Sequence, residues 1–154
     1  MSEQITKIKI NNDSTATINF KETGDLDTKE IVFTGKEKIV DGFNEAFQET
    51  IKSFVEICPA FKSDKTKLTM NAIKFRYGTD ERIDQVSYAV KYKPHNNVLT
   101  NIPVNNVPIY KDEFSDKTFA VSGDDEELLY TILDYATKYI TGDTKTKQMK
   151  IEVD

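Results

Sequence analysis

LTMNAIKFRYGTDERIDQVSYAVKYK, residues Leu68–Lys93, decides how the rest of the chain is read. Ile73, Phe75 and Tyr77 alternate with Lys74 and Arg76 up to a break at Gly78-Thr79-Asp80-Glu81. Beyond it, Val86, Tyr88, Val90 and Tyr92 take one phase, and Ser87, Ala89, Lys91 and Lys93 the other. A strand's side chains alternate between two faces, so the stretch predicts an antiparallel hairpin with one apolar and one wet face. Leu68, Met70 and Ala72 run in the opposite phase to Ile73, Phe75 and Tyr77. That predicts a bulge near Ala72-Ile73, or burial of both faces there. Interleaved rings and cations suggest a stacking platform for single-stranded nucleic acid, but a platform needs both on one face. The alternation separates them, with rings toward a core and lysines toward water.

The flanking sequence extends this pattern. Ile5–Ile10 sets Ile8 and Ile10 against Lys7 and Lys9, and Thr15–Lys21 sets Ala16, Ile18 and Phe20 against Thr17, Asn19 and Lys21. Asn11-Asn12-Asp13-Ser14 joins them as a turn, giving a second hairpin, and Thr28–Phe33 reads as a third short strand. From Thr34 to Cys58 apolar residues recur at three- and four-residue steps, which predicts an amphipathic helix. Thr34-Gly35-Lys36-Glu37 has the spacing of a capping box, and Pro59 ends the helix. Gly42 within it is expected to let the helix approach the sheet. Val98–Tyr110 is extended but carries Pro103 and Pro108, so it reads as an edge strand or a long ordered loop. Ser122-Gly123-Asp124-Asp125 opens a second helix, with Leu128, Leu129, Ile132, Leu133, Ala136, Tyr139 and Ile140 on its apolar face and Gly142 as its C-cap. Lys147–Val153 then alternates as a final strand. The order predicts an α+β protein, a single domain over 1–154 with a largely antiparallel β-sheet and two amphipathic helices packed on one face.

Composition narrows the setting. A chain of 154 residues is long enough for one real core. No apolar run reaches the roughly 18 residues of a membrane span, so no membrane partner is expected. Met1–Ile5 shows neither the basic start nor the apolar stretch of a signal peptide, and Cys58 is the single cysteine, which predicts a cytoplasmic protein without an internal disulfide. A net charge of −5 argues against a general polyanion binder by its sum, although the placement of charge matters more.

Catalytic chemistry is poorly served. His95 is the only histidine and sits in a turn beside Pro94, and Cys58 falls on the apolar face of the first helix. With one of each, a zinc site would rest on carboxylates. Asp80-Glu81-Arg82-Ile83-Asp84 lacks the ligand pattern of a calcium loop, and Gly35-Lys36 lacks the further glycines of a phosphate loop. No catalytic residue, metal ligand or cofactor is assigned, and a non-enzymatic protein is expected. Two buried acids from distant segments sharing a cleft would reopen the enzyme reading.

Two surfaces remain as binding candidates. In the first reading, Ile102, Val104, Val107, Ile109 and Tyr110 present an exposed apolar surface to an unidentified protein partner. In the alternative, Lys7, Lys9, Lys21, Lys74, Arg76, Lys91 and Lys93 share the outer face of the sheet and contact nucleic-acid phosphates. Lysines on that face would otherwise serve only to keep an exposed sheet soluble. The final strand and Val98–Tyr110 are both expected at sheet edges, which predicts a homodimer paired edge to edge.

The end of the second helix, Leu133-Asp134-Tyr135-Ala136-Thr137-Lys138-Tyr139-Ile140-Thr141-Gly142, resembles a pattern in small uncharacterised phage and prophage proteins. In those, an acidic helix runs into an A-x-K-Y-I-x-G-like ending followed by a basic tail, where this chain continues into Lys147–Val153. The resemblance implies an accessory protein encoded by a phage or mobile element, docking on a host or phage protein in the host cytoplasm. It transfers no functional residue.

Overall fold

The computed structural model describes residues 3–23, 26–79, 81–93, 98–109 and 120–153, the last eleven of them by backbone alone. It is an α+β fold. Six strands, β1 (Glu3–Ile10), β2 (Ala16–Thr23), β3 (Thr28–Thr34), β4 (Leu68–Tyr77), β5 (Ile83–Tyr92) and β6 (Thr100–Pro108), form one sheet in the order β3-β2-β1-β4-β5-β6. Every ladder is antiparallel, so the sheet is two three-stranded meanders joined where β1 meets β4. That seam has three registered pairs, Lys7 with Lys74, Ile8 with Ile73 and Lys9 with Ala72.

The helical layer covers one face. Helices α1 (Asp41–Glu49) and α2 (Ile51–Ile57) and a 3-10 segment (Pro59–Lys67) carry the chain from the β3 edge back to the middle of the sheet, and α3 (Gly123–Val153) follows the sheet. Inward residues of the strands, including Ile8, Ile18, Ile73, Val86 and Tyr88, pack beneath Phe43, Phe47 and Phe54 and beneath Leu129, Ile132 and Ala136 of α3. Gln48 of α1 holds the layer to β4 like an extra strand: its amide nitrogen donates to the Met70 carbonyl at 3.1 Å and its carbonyl accepts the Met70 amide at 2.9 Å. The expected bulge is present one residue earlier than predicted, at Asn71 between Met70 and Ala72.

Several local expectations are corrected by tertiary contacts. The first helix begins at Asp41 rather than Thr34, and its N-cap, Val40, makes no side-chain cap. Thr34 remains in β3, paired with Thr17, and its hydroxyl lies 3.2 Å from that of Thr17, so it is not available for a capping box. The helix also breaks at Thr50 into two pieces. Gly42 makes room for Tyr135 of α3 rather than for the sheet, since a β-carbon there would lie 2.5 Å from the Tyr135 hydroxyl. The expected final strand is helical. α3 runs through Gly142 to Val153, where the helix formers Lys147, Gln148, Met149, Lys150 and Glu152 extend a helix already formed and outweigh a short alternation. The sheet's free edges are therefore β3 and β6. Ser122 does cap α3, its hydroxyl accepting the Asp125 amide at 3.3 Å, with acids in the first turn where the dipole favours them. No helix among the described residues is long and apolar enough to cross a membrane.

Two core tyrosines give the fold an alkaline limit. The Tyr88 hydroxyl is buried 3.1 Å from the Ser53 hydroxyl, and Tyr77 donates to the Ile5 carbonyl at 2.6 Å. Burial pushes both phenols well above the ordinary tyrosine value, with Asp125 and Glu56 adding to the effect at Tyr88 and Tyr130 at Tyr77. The native state therefore keeps them neutral after the unfolded chain has ionised. Their contribution is intact below about pH 10 and is lost as pH rises from there toward the native pKa. Urea unfolding across this range is expected to show stability falling, and Tyr88→Phe should flatten the fall by up to about 1.4 kcal/mol per pH unit.

Candidate functional site

None of the described helices packs on the outer face of the sheet, and alternation sends the basic residues to it. Across the seam, Lys7 stands directly opposite Lys74, with Asn19 of β2 beyond Lys7 and Ser87 of β5 beyond Lys74. Like charges directly opposite one another weaken a ladder. Among the described residues no carboxylate forms an ion pair with Lys7, Lys9, Lys74 or Arg76. Two cavities open on this face and share Lys7, Lys74 and Ser87. One, of about 430 Å³, reaches across all six strands from Glu30 of β3 to Asn106 of β6 and includes Arg76. The other, of about 230 Å³, runs beside it over Lys9, Asn71 and Asn105, on a floor of Ala72, Ala89 and Pro103.

Bulges supply the polar lining. An extra residue in one strand breaks strict alternation and delivers a side chain that the pattern would not place. Thr6 enters where the β1–β2 register shifts between Ile5 and Lys7, and Asn71 where β4–β5 shifts between Met70 and Ala72. On β6, Asn105 and Asn106 together oppose Ser87, whose hydroxyl accepts the Asn106 amide at 2.9 Å. Asn106 has φ 57°, a left-handed conformation that asparagine tolerates. Gln85 also lines the larger cavity, and its side-chain oxygen is buried without a hydrogen-bond partner. Thr6, Asn71, Gln85, Asn105 and Asn106 were not assigned from the sequence. A signal was present at 105–106, where the apolar step from Val104 to Val107 is three residues instead of two.

Of the predicted basic residues, the structure brings Lys7, Lys9, Lys74 and Arg76 together. Lys91, paired with Asn101, and Lys93, just past the end of β5, lie outside both cavities, as does Lys21. The predicted apolar surface is corrected. Val104, Val107 and Ile109 are buried, Ile102 is half-buried against the core, and Tyr110 lies outside the described residues. Pro103 and Pro108 fall on the outward phase of β6, so its apolar residues turn inward and extend the core.

His95 lies outside the described residues. Cys58 packs half-buried against the core, and burial raises its thiol pKa, which keeps it protonated at neutral pH. No three potential metal ligands cluster among the described residues. One acid pair is drawn from distant segments: Asp125 is buried, with Lys52 3.8 Å away, while Glu56 beside it is exposed. Partial burial and the Asp125 charge raise the Glu56 pKa. Its contribution is favourable at acid pH and is lost as pH rises through the raised value. Glu56→Gln is expected to stabilise the protein slightly at pH 7, within the roughly 0.5 kcal/mol of a surface change, and melting below about pH 4 should show no gain.

No family model, no curated protein and no solved structure matches this chain.

Proposed function

We propose that this protein binds nucleic acid through the outer face of its sheet, by contacts to phosphates. The observation that carries the reading is the Lys7–Lys74 pair. Two cations face each other across a three-pair seam, on a face that no described helix covers, beside Lys9 and Arg76 and without a carboxylate partner among the described residues. A phosphate between them would turn a repulsion into a bridge.

The overall charge of −5 does not oppose this. Acids stand on the helical side in Asp41, Glu45 and Glu49 of α1 and in the first turn of α3, while Glu30 is the one acid lining the two cavities. A polyanion meeting such a molecule is repelled by one side and drawn to the other, which orients the encounter. Amide and hydroxyl groups on the same floor provide neutral donors for phosphate or sugar oxygens. The likeness of residues 133–142, within α3, to phage and prophage proteins fits an accessory role of this kind. The docking reading has less support, because Val104, Val107 and Ile109 of its surface are buried and Ile102 is half-buried.

Fluorescence anisotropy with labelled DNA oligonucleotides tests the proposal. Four phosphate contacts predict binding at about 50 mM salt that weakens roughly 100-fold by about 200 mM. Failure to bind at the lower salt would remove the reading.

A further inference from the structure

We infer that the occupant of this face is a double-stranded nucleic acid rather than a single strand. The inference rests on the proposed function and names the substrate class of that same site.

The first argument is the position of the rings. Phe20, Phe33, Phe75, Tyr77, Tyr88 and Tyr92 all lie on the helical side, where Phe33 packs edge-on to Tyr139 and Tyr92 to Phe61. The outer residues of the same strands are mostly lysine, arginine, asparagine, glutamine, serine and threonine, with Glu30, Val32, Ala72 and Ala89 among them. Proteins that hold single strands draw about 1–3 kcal/mol per base from stacking on aromatic side chains. Phe75 and Tyr88, the two rings among the residues lining the cavities, are themselves buried, so among the described residues no exposed ring is offered for stacking and the bases of a single strand would add little.

The second argument is charge density. A face that binds through cations alone favours the partner with more charge per unit length. A duplex carries one charge per roughly 1.7 Å of axis, about twice that of either strand. The third is geometry. The cations stand on strands in fixed register, and the larger cavity crosses five inter-strand gaps, about 24 Å at the usual spacing. That length matches about seven base pairs at roughly 3.4 Å each. A rigid row of phosphates meets such a surface without the ordering cost that a flexible strand incurs.

The floor of the trough fits the same partner. Ala72, Ala89 and Ser87 are short, while Lys7, Lys9 and Lys74 rise beside them. A sugar–phosphate ridge can settle between the cations, with the amides of Asn71 and Asn105 alongside it. Glu30 closes the larger cavity at the β3 end, so the strongest attraction is expected over β1, β4 and β5.

The test uses the full chain, a mixed-sequence DNA duplex of about 20 base pairs and each of its strands alone, titrated at about 50 and about 200 mM salt. The expected result is a duplex affinity at least about tenfold above either strand, with a log–log salt slope near −3.6 for four contacts. Lys7→Gln with Lys74→Gln should bring the slope to about −1.8. Equal or tighter binding of a single strand overturns the duplex assignment and leaves nucleic-acid binding standing. Binding of neither probe at the lower salt overturns both.

Discussion

Lys7→Glu is expected to stabilise the fold and weaken nucleic-acid binding at the same time. Lys7 and Lys74 are registered partners in the β1–β4 ladder, which has only three such pairs. Reversing one charge removes a cross-strand repulsion and creates an attraction, a change of about 1 kcal/mol or somewhat less. For a chain of this length that is a rise in melting temperature of about 2–4 °C. The same change removes a cation from the centre of the face and puts a carboxylate there, so affinity at low salt should fall at least about tenfold. Lys7→Glu with Lys74→Glu restores like charges across the seam. Its stability should return toward the starting value while binding falls about 100-fold or more. Thermal melts and anisotropy titrations on the three proteins separate the effects. If stability rises as expected but affinity does not change, the lysines serve solubility only, and the proposed interface is wrong.

Gly35→Ala is expected to destabilise the protein by about 3 kcal/mol, because the space a side chain needs is filled by a ring from the far end of the chain. A β-carbon at Gly35 would lie 1.9 Å from the Tyr139 hydroxyl oxygen and 2.2 Å from its ring. That hydroxyl donates to the Glu37 carbonyl and accepts the Ala16 amide at 3.4 Å, and the ring packs edge-on against Phe33 and Phe43. Tyr139 thus fastens α3 to β2 and to the segment that leads into α1. Displacing it costs two hydrogen bonds and the ring contacts, and the gap left by overpacking is not recovered. Tyr139→Leu should itself be costly, but adding Gly35→Ala to it should cost under about 1 kcal/mol, since the clash is gone. Chemical denaturation of the four-member cycle reads the coupling. Additive losses would show that Gly35 matters for its backbone and not for Tyr139.

The contrast between these two sites shows what could be read along the chain. Tyr139 was placed on the apolar face of its helix from its spacing alone, and it is there. That it would occupy the space above Gly35 could not be read, because the contact joins residues 104 positions apart. The same distance problem defeated the capping box. Thr34 and Glu37 have the right local spacing, but pairing of Thr34 with Thr17 on β2 takes the residue into the sheet. The run after Gly142 failed for another reason. Seven residues of alternation compete with a helix already propagating, and adding a residue to a formed helix is easier than starting a strand.

At the candidate interface, the alternation in Leu68–Lys93 was enough to put Lys74 and Arg76 on the side opposite Phe75 and Tyr77. Alternation is a property of one strand's backbone and needs no partner, and the same holds for Lys7 and Lys9 on β1. Which strands become neighbours is not local. β1 lies beside β4, across more than fifty residues of intervening chain, because the helices between them must fold back over the apolar face of both meanders. Only that pairing sets Lys7 against Lys74. Only the bulges, where one strand carries an extra residue between consecutive registered pairs, bring Thr6, Asn71 and Asn106 to the same floor. The sign of the face was therefore legible residue by residue, while its shape and its unrelieved pair of cations come from the pairing of distant strands.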